Sequence, residues 1–383
     1  MAALWIALGV GLVYLASDLL FRWMGLGALA HGRRSRPEMA LTFDDGPDPE
    51  TTPALLSALE ETGVKATFFL TGEKAERHPE LVRAIREAGH EIASHGRWHR
   101  PAILMAPWTE NRQIAYDPGG LSYYRPPHGV HSPFTRLLAG RLGRKVALWD
   151  VESKDWTGLD DEAVTKRLWH YVSGGSVVLL HDGPRAARLV KKLVPGLLAR
   201  GFEPVPMGAL EAKPLGFRAA LARALQGFDE RFDRQRGVVR CRESWDNVFR
   251  CEKTVYKGPP LPGVRPGAKG LLLHFDSKRI AAFSPARGFL ALRKDLAAIA
   301  RRVEKDPEIA LIFAPTPLSE GARRLGFATA PLPFLDGLVA GLTARFFDWL
   351  YRDPRLKRRH PGKLRLIYMT RQELLKRYLD AAP

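Results

Sequence analysis

Apolar and polar positions divide the chain into three stretches of different pattern. Residues 2–17, AALWIALGVGLVYLAS, carry no charge, and Asp18 and Arg22 are the only charged side chains before residue 31. The stretch 2–30 is long enough to cross a bilayer, for which about 20 residues suffice. It lacks the leading Lys or Arg usual in a secretory signal, but Ala28-Leu29-Ala30 fits the small-residue cleavage pattern. We expect a retained single-pass membrane anchor in residues 1–30; a signal cleaved near Ala30 and a buried helix are the alternatives. Arg33, Arg34 and Arg36 beyond the span would favour a cytoplasmic C-terminal side, and these charges leave the orientation open.

From residue 37 the pattern becomes an alternation. Short β-rich runs recur as MALTF (39–43), KATFFL (65–70), HEIAS (90–94), LSYYR (121–125), KVALW (145–149), SVVLL (176–180) and FEPV (202–205). Helical stretches stand between most of them, and PALLSALEETG and PELVRAIREAG both end in Gly, a common helix stop. Strand–helix alternation implies a parallel sheet with crossovers. Seven such units in about 170 residues predict a small barrel-like α/β fold, in which functional side chains stand at the C-terminal ends of the strands.

Beyond residue 212 the pattern changes again. A charged helical linker is expected over 213–240. A smaller α+β domain then covers 241–383, with GLLLHFDS, IALIFAP and LRLIYMT as strands and ALRKDLAAIARRVEKDP and GLVAGLTARFFDWLYRD as helices. A length of 383 residues fits about two domains, and 45% apolar residues can supply each with a core. Charge separates the halves. Residues 1–212 hold 25 Lys/Arg against 24 Asp/Glu, a balance of +1, whereas 213–383 hold 34 against 17, a balance of +17. Two cysteines, Cys241 and Cys251, exclude a disulfide-rich scaffold and a cysteine-based zinc cluster, and leave open whether they pair.

The chemistry-bearing residues fall at the expected strand ends. Asp44 and Asp45 close the first strand in ALTFDDGPD, where Asp-Gly-Pro is also ordinary turn chemistry. His95 and His99 follow the third strand with the i, i+4 spacing that can present two imidazoles to one metal. Arg125 ends the fourth strand in YYRPPHG, LWDVESKDW follows the fifth, and His181 ends VVLLH. Each residue has an unremarkable explanation by itself, as surface charge, core or cap. Polar residues at five strand ends of one barrel are much harder to explain that way.

In this order, TFDDGP, HGRWH, RPPHG, ESKDW and LLH resemble the five motifs of NodB-type polysaccharide deacetylases, carbohydrate esterase family 4, over about residues 37–210. The resemblance implies a distorted (β/α)7 barrel over 37–212. It implies that Asp45, His95 and His99 bind one divalent metal, Zn²⁺ or an alternative such as Co²⁺, which lowers the pKa of a bound water and polarises the acetyl carbonyl. Asp44 would be the general base, with Arg125 pairing to it and fixing its geometry. The backbone N–H of His128 would stabilise the oxyanion, since Pro126 and Pro127 have none. His181 would be the general acid, supported by Glu152, and Trp156 and Leu179 would line the acetyl pocket. Departures are visible as well. Gly96 stands where the family has Ser or Thr, Trp98 and Arg100 differ, His128 replaces Tyr or Phe, and Glu152 replaces Asp. Residues 241–383 resemble the YkoP-like domain.

The expected function is metal-dependent hydrolysis of the N-acetyl amide of an N-acetylated sugar polymer or oligomer, releasing acetate, by an extracytoplasmic domain at the cell membrane. The alternatives are a non-catalytic glycan-binding or scaffolding protein of the envelope, and an amidase acting on a non-sugar amide. The basic runs KRRHPGK and LLKRY read first as plain solvated faces, and contact of residues 213–383 with an anionic membrane or envelope polymer is the alternative. Nucleic acid ranks below these, because no aromatic-basic recognition motif is present.

Overall fold

The computed structural model describes residues 1–102, 105–265, 267–332, 334–351 and 364–379. The N-terminal apolar run forms helix α1 (Ala2–Ser17), which continues into a π-helical turn over Asp18–Trp23. The helix Leu4–Trp23 is long and apolar enough to cross a membrane.

Seven strands then form an all-parallel sheet: β1 (Glu38–Asp44), β2 (Thr67–Leu70), β3 (Glu91–Ser94), β4 (Tyr123–Tyr124), β5 (Lys145–Val146), β6 (Val151–Glu152) and β7 (Val177–His181). Their order is β5-β4-β3-β2-β1-β7-β6, and the edge strands β5 and β6 are not joined in this sheet, so the barrel is open. An eighth strand, β8 (Glu203–Pro204), pairs with the start of β1 off this path. The expected α/β barrel is present with one exchange of strands. FEPV is β8, and the seventh member of the curled sheet is β6, a two-residue strand inside WDVESK. Strands this short leave no periodicity to read.

The crossovers are α2 (Thr52–Glu61), α3 (Gly72–Arg77), α4 (Pro79–Glu87), α5 (Pro107–Ala115), α6 (Pro133–Arg141), α7 (Asp161–Tyr171) and α8 (Ala186–Ala199). Proline in the first turn starts α2, α4, α5 and α6, where its missing N–H costs nothing. Strands β1, β2 and β7 are buried almost throughout, so their apolar runs are continuous instead of alternating. Residues after the apolar span join this core. Met24, Ala28 and Ala30 cluster with Tyr124, Leu138 and Val146, and Leu29 forms a parallel bridge to Ala147. The first compact unit therefore starts ahead of residue 37, and it extends over Met1–Ala224.

The second unit is Leu225–Pro383, the division falling within α9 (Phe217–Arg236). It contains a mixed sheet of β9 (Val239–Arg240), β10 (Phe249–Val255), β11 (Lys269–Phe275), β12 (Leu311–Thr316), β13 (Ala328–Ala330) and β14 (Arg365–Thr370). Their order is β13-β14-β12-β11-β10-β9. The helices are α10 (Ser277–Ala282), α11 (Pro285–Lys305), α12 (Ser319–Arg324), α13 (Phe334–Tyr351) and α14 (Arg371–Tyr378). Leu296 and Ile299 of α11 pack on Leu271, Leu273, Ile312 and Met369 of the sheet. Asp295, wholly buried on α11, accepts from the backbone N–H groups of Val248 and Phe249 at 2.7 and 2.9 Å and from Asn247 and Arg242. Cys241 and Cys251 form a disulfide. The basic run at 357–363 lies outside the described residues.

Candidate active site

The parallel sheet carries its polar side chains to one end. Asp44 ends β1 and lies in register with His181, the last residue of β7. His95 directly follows β3, Arg125 follows β4 and Glu152 ends β6. Neighbouring strands thus deliver these groups to a common C-terminal rim, as the strand-end reading of the sequence expected.

Asp45, His95 and His99 come together at that rim. Asp45 Oδ1 lies 3.3 Å from His95 Nε2 and 2.9 Å from His99 Nε2. One ligand atom from each of the three lies within 4.8 Å of the others. The His95 Nδ1–H donates to the Arg125 carbonyl at 2.8 Å, which leaves the Nε2 lone pair directed at Asp45. Asp45 Oδ1 is buried and has no well-directed hydrogen bond among the described residues. Burial pushes the Asp45 carboxyl up, but the two imidazoles outweigh it and hold the group far below the usual carboxylate range. Burial likewise pushes His95 down, and Asp44 and Asp45 more than reverse this. A carboxylate oxygen facing two imidazole nitrogens is a donor set that fits a divalent cation.

Unusual backbone supports this cluster. Asp45 and His99 adopt left-handed conformations, φ 72° and 48°. Gly96 stands at φ 81°, and a Cβ there would lie 2.7 Å from the Gln113 side chain. Gln113, fully buried on α5, occupies that space. Its Nε2 donates to the Arg100 carbonyl at 2.7 Å, and its backbone carbonyl accepts from the Arg97 N–H at 3.2 Å. The side-chain amide of Gln113, brought in from α5, thus occupies the space beside Gly96. Gln113 escaped the sequence reading because nothing in the local pattern distinguishes it from an ordinary helix residue.

Arg125 is completely buried and donates from Nη1 to Asp44 Oδ1 at 2.6 Å and to Thr42 Oγ1 at 2.8 Å. Its guanidinium carbon lies 3.8 Å from the centre of the Phe69 ring. These contacts fix one Asp44 oxygen. The other lies 3.7 Å from His95 Nε2, beside the cluster. His128 adopts φ 57°, and its ring lies 4.7 Å from that of His99.

The partner of His181 differs from the expected Glu152. Asp155 Oδ1 accepts from His181 Nδ1 at 2.8 Å, and Asp155 Oδ2 accepts from the His181 backbone N–H at 2.9 Å. Burial lowers the His181 pKa, but Asp155, with smaller contributions from Asp44 and Asp45, raises it to about 9. Glu152 turns elsewhere and accepts from Trp156 Nε1 at 3.2 Å. The signal was present in ESKDW as the Asp just before the Trp. The left-handed turn at Lys154, φ 61°, brings the Asp155 backbone back toward β7. Trp156 is largely exposed, whereas Leu179 is buried on the same face of β7 as His181, two residues below it.

Comparison with known proteins gives relatives for the first part of the chain. The family model described as "Polysaccharide deacetylase" matches residues 31–147. A peptidoglycan-N-acetylglucosamine deacetylase of Bacillus cereus is 33% identical over 198 residues, covering 47% of this chain and 71% of the relative. A chitooligosaccharide deacetylase of Sinorhizobium fredii is 30% identical over 189 residues, covering 43% of this chain and 88% of the relative. Among solved structures, a family 4 carbohydrate esterase from Streptomyces lividans in complex with acetate has 28% identity and a TM-score of 0.43, covering 47% of this chain and 97% of that one.

Proposed function

The chain belongs to the polysaccharide deacetylase family, and from that premise we propose that it hydrolyses the N-acetyl amide of an N-acetylated glycan to acetate and a free amine. The observation that carries this reading is the Asp45–His95–His99 cluster, which has a buried carboxylate on one side and a carboxylate-bound histidine in register with that carboxylate. Zn²⁺ is the ion we assign to the cluster, with Co²⁺ as an alternative. When bound, it supplies a more acidic water and polarisation of the acetyl carbonyl.

The remaining roles fall to the chain's own side chains. Asp44 takes the proton from the attacking water through the oxygen that Arg125 leaves free. The N–H of His128 faces the oxygen that becomes negative in the tetrahedral state, a contribution realised only as that charge develops. His181 hands its proton to the departing amine, and Asp155 holds the ring in position and keeps it charged to high pH. Leu179 forms part of the acetyl pocket, and Trp156, oriented by Glu152, offers an indole face to the sugar.

We place the enzyme at the cell membrane through its N-terminal span, with the catalytic unit outside the cytoplasm. We assign the basic second unit, on its sequence pattern alone, to the YkoP-like class and to contact with an anionic lipid or envelope polymer. The test of the activity is mass spectrometry of N-acetylglucosamine oligomers incubated with the full-length protein and Zn²⁺. Loss of acetyl groups together with free acetate supports the reading. Intact oligomers, peptidoglycan and exopolysaccharide under the same conditions would remove it.

A further inference from the structure

The end of the apolar span is built into the loop that carries His128. Arg223 on α9 donates from Nη1 to the Arg22 carbonyl at 2.9 Å and to the Trp23 carbonyl, and from Nε to the Trp149 carbonyl at 3.0 Å. The ring of Phe21 lies 6.3 Å from that of His131, with the Arg136 guanidinium 5.5 Å from Phe21. A Cβ built on Gly129 would meet the Trp149 ring at 3.1 Å and Arg22 Cγ at 3.8 Å. The residue next to His128 is therefore seated between Trp149 and the last turn of the span. His131 completes the assembly. It is buried, its Nδ1–H donates to the Gly129 carbonyl at 2.8 Å, and its Nε2 accepts from Arg136 at 3.0 Å.

The chain beyond this turn is equally committed. Gly27 donates to the Leu215 carbonyl at 2.7 Å, Leu29 donates to the Val146 carbonyl at 2.9 Å, and Leu148 donates back to Leu29 at 2.7 Å. Ala28, Leu29 and Ala30 are buried to within 2%. Cleavage near Ala30 would strip the partner from residues 146–148, beside the proposed active site, and remove one wall of a core cluster. Such a cut is the wrong place to separate an export signal from a finished domain.

Toward the N-terminus the situation reverses. Leu8, Leu12 and Leu15 on α1 are exposed by half or more. Exposed apolar side chains continue on the elements that pack around the exit of the span: Trp23, Phe134 and Leu137 on α6, and Phe217 on α9. Large apolar groups around the base of an apolar helix are what a bilayer interface covers.

From the clamp of Phe21, Arg22 and Arg223 on the His128–His131 loop, we infer that the span stays attached and holds the active site at the bilayer surface, so that its substrate is the N-acetylated sugar of a membrane-held glycolipid or lipid-linked glycan. This inference rests on the deacetylase reading given above. Substrate and enzyme confined to one surface meet at a raised effective concentration, which a soluble oligosaccharide does not share.

The experiment uses the full chain in phosphatidylcholine vesicles with Zn²⁺. It compares an N-acetylglucosaminyl dialkylglycerol placed in the same vesicles with the soluble N-acetylglucosamine tetramer, and reads acetate release. We expect kcat/KM at equal bulk concentration to be about ten-fold or more higher for the lipid. We also expect the intact mass of the chain isolated from membranes to include residues 1–30. Equal or lower turnover of the lipid, or a mature chain beginning near residue 31, overturns the inference. Turnover of the tetramer alone leaves the deacetylase reading standing and removes only the membrane substrate. Turnover of neither removes both.

Discussion

Gln113 fills the space that any side chain at position 96 would need, because a Cβ on Gly96 would lie 2.7 Å from Gln113 Cγ. The pair bridges α5 and the loop that presents His95 and His99, so the two residues are expected to be coupled. Placing a hydroxyl side chain there, Gly96→Ser, should therefore weaken metal binding. A left-handed non-glycine residue costs about 1–2 kcal/mol before the clash is counted. Gln113→Ala should lower metal affinity about 10–100-fold, as loss of an outer support typically does. Because Gln113→Ala also opens the space beside residue 96, the double variant should lose less than the sum of the two. Competitive zinc titration of the three variants measures this, and additive losses would refute the coupling.

The paired carboxylates should separate by function. Asp44→Asn keeps all three members of the Asp45–His95–His99 cluster, so bound metal should remain while turnover falls about 10²–10⁴-fold, the usual contribution of a general base. Asp45→Asn should lose the metal itself. Metal content by plasma emission together with acetate release distinguishes the two. A metal-free Asp44→Asn variant beside a metal-loaded Asp45→Asn variant would reverse the assignment.

The His181–Asp155 pair sets a pH limit. His181 must be protonated to act as the acid, and its raised pKa of about 9 keeps it so below that pH, with loss as the pH rises through it. The titratable groups facing it include Asp155, Asp44 and Asp45, with His128 acting in the opposing sense. Asp155→Asn removes the largest of the raising contributions, so the alkaline limb of kcat/KM should move down toward the ordinary imidazole range. Glu152→Gln, whose partner is Trp156, should leave that limb in place. A shift caused by Glu152→Gln and not by Asp155→Asn would show that the geometry assigns the wrong partner.

Arg125 and Asp44 form a salt bridge in which both side chains are at most 4% exposed. Arg125→Ala leaves Asp44 buried without its cation, and breaking such a pair costs about 3–5 kcal/mol. Thermal denaturation of the apo protein should show a markedly lower Tm for Arg125→Ala. An unchanged Tm would mean that water or another group compensates Asp44.

Much of this architecture was legible because the central strands are long apolar runs bounded by turn residues. MALTF, KATFFL, HEIAS and SVVLL all appear as β1, β2, β3 and β7. The two-residue strands carry no such signal, and FEPV, read from its β-rich composition, pairs with the start of β1 outside the curled sheet's path. At the site, Asp45, His95 and His99 converge as the family resemblance implied, with Asp45 and His95 directly after strand ends that the fold fixes and His99 one turn beyond. Glu152 was misjudged because which carboxylate reaches His181 depends on a left-handed turn at Lys154, a residue with no sequence bias toward that conformation. The merging of residues 24–30 with the barrel core was equally hidden, since an apolar stretch reads alike whether lipid or protein covers it.

The central claim is that acetate release depends on the cation held by Asp45, His95 and His99. The most direct measurement is acetate release from an N-acetylglucosamine oligomer by full-length protein stripped with a chelator and then titrated with Zn²⁺, with Asp45→Asn alongside. The account predicts no release by the stripped protein. It predicts recovery that saturates at one zinc per chain, free amine equal to acetate, and no recovery for Asp45→Asn. Full activity in the stripped protein, or equal recovery by Asp45→Asn, would contradict it.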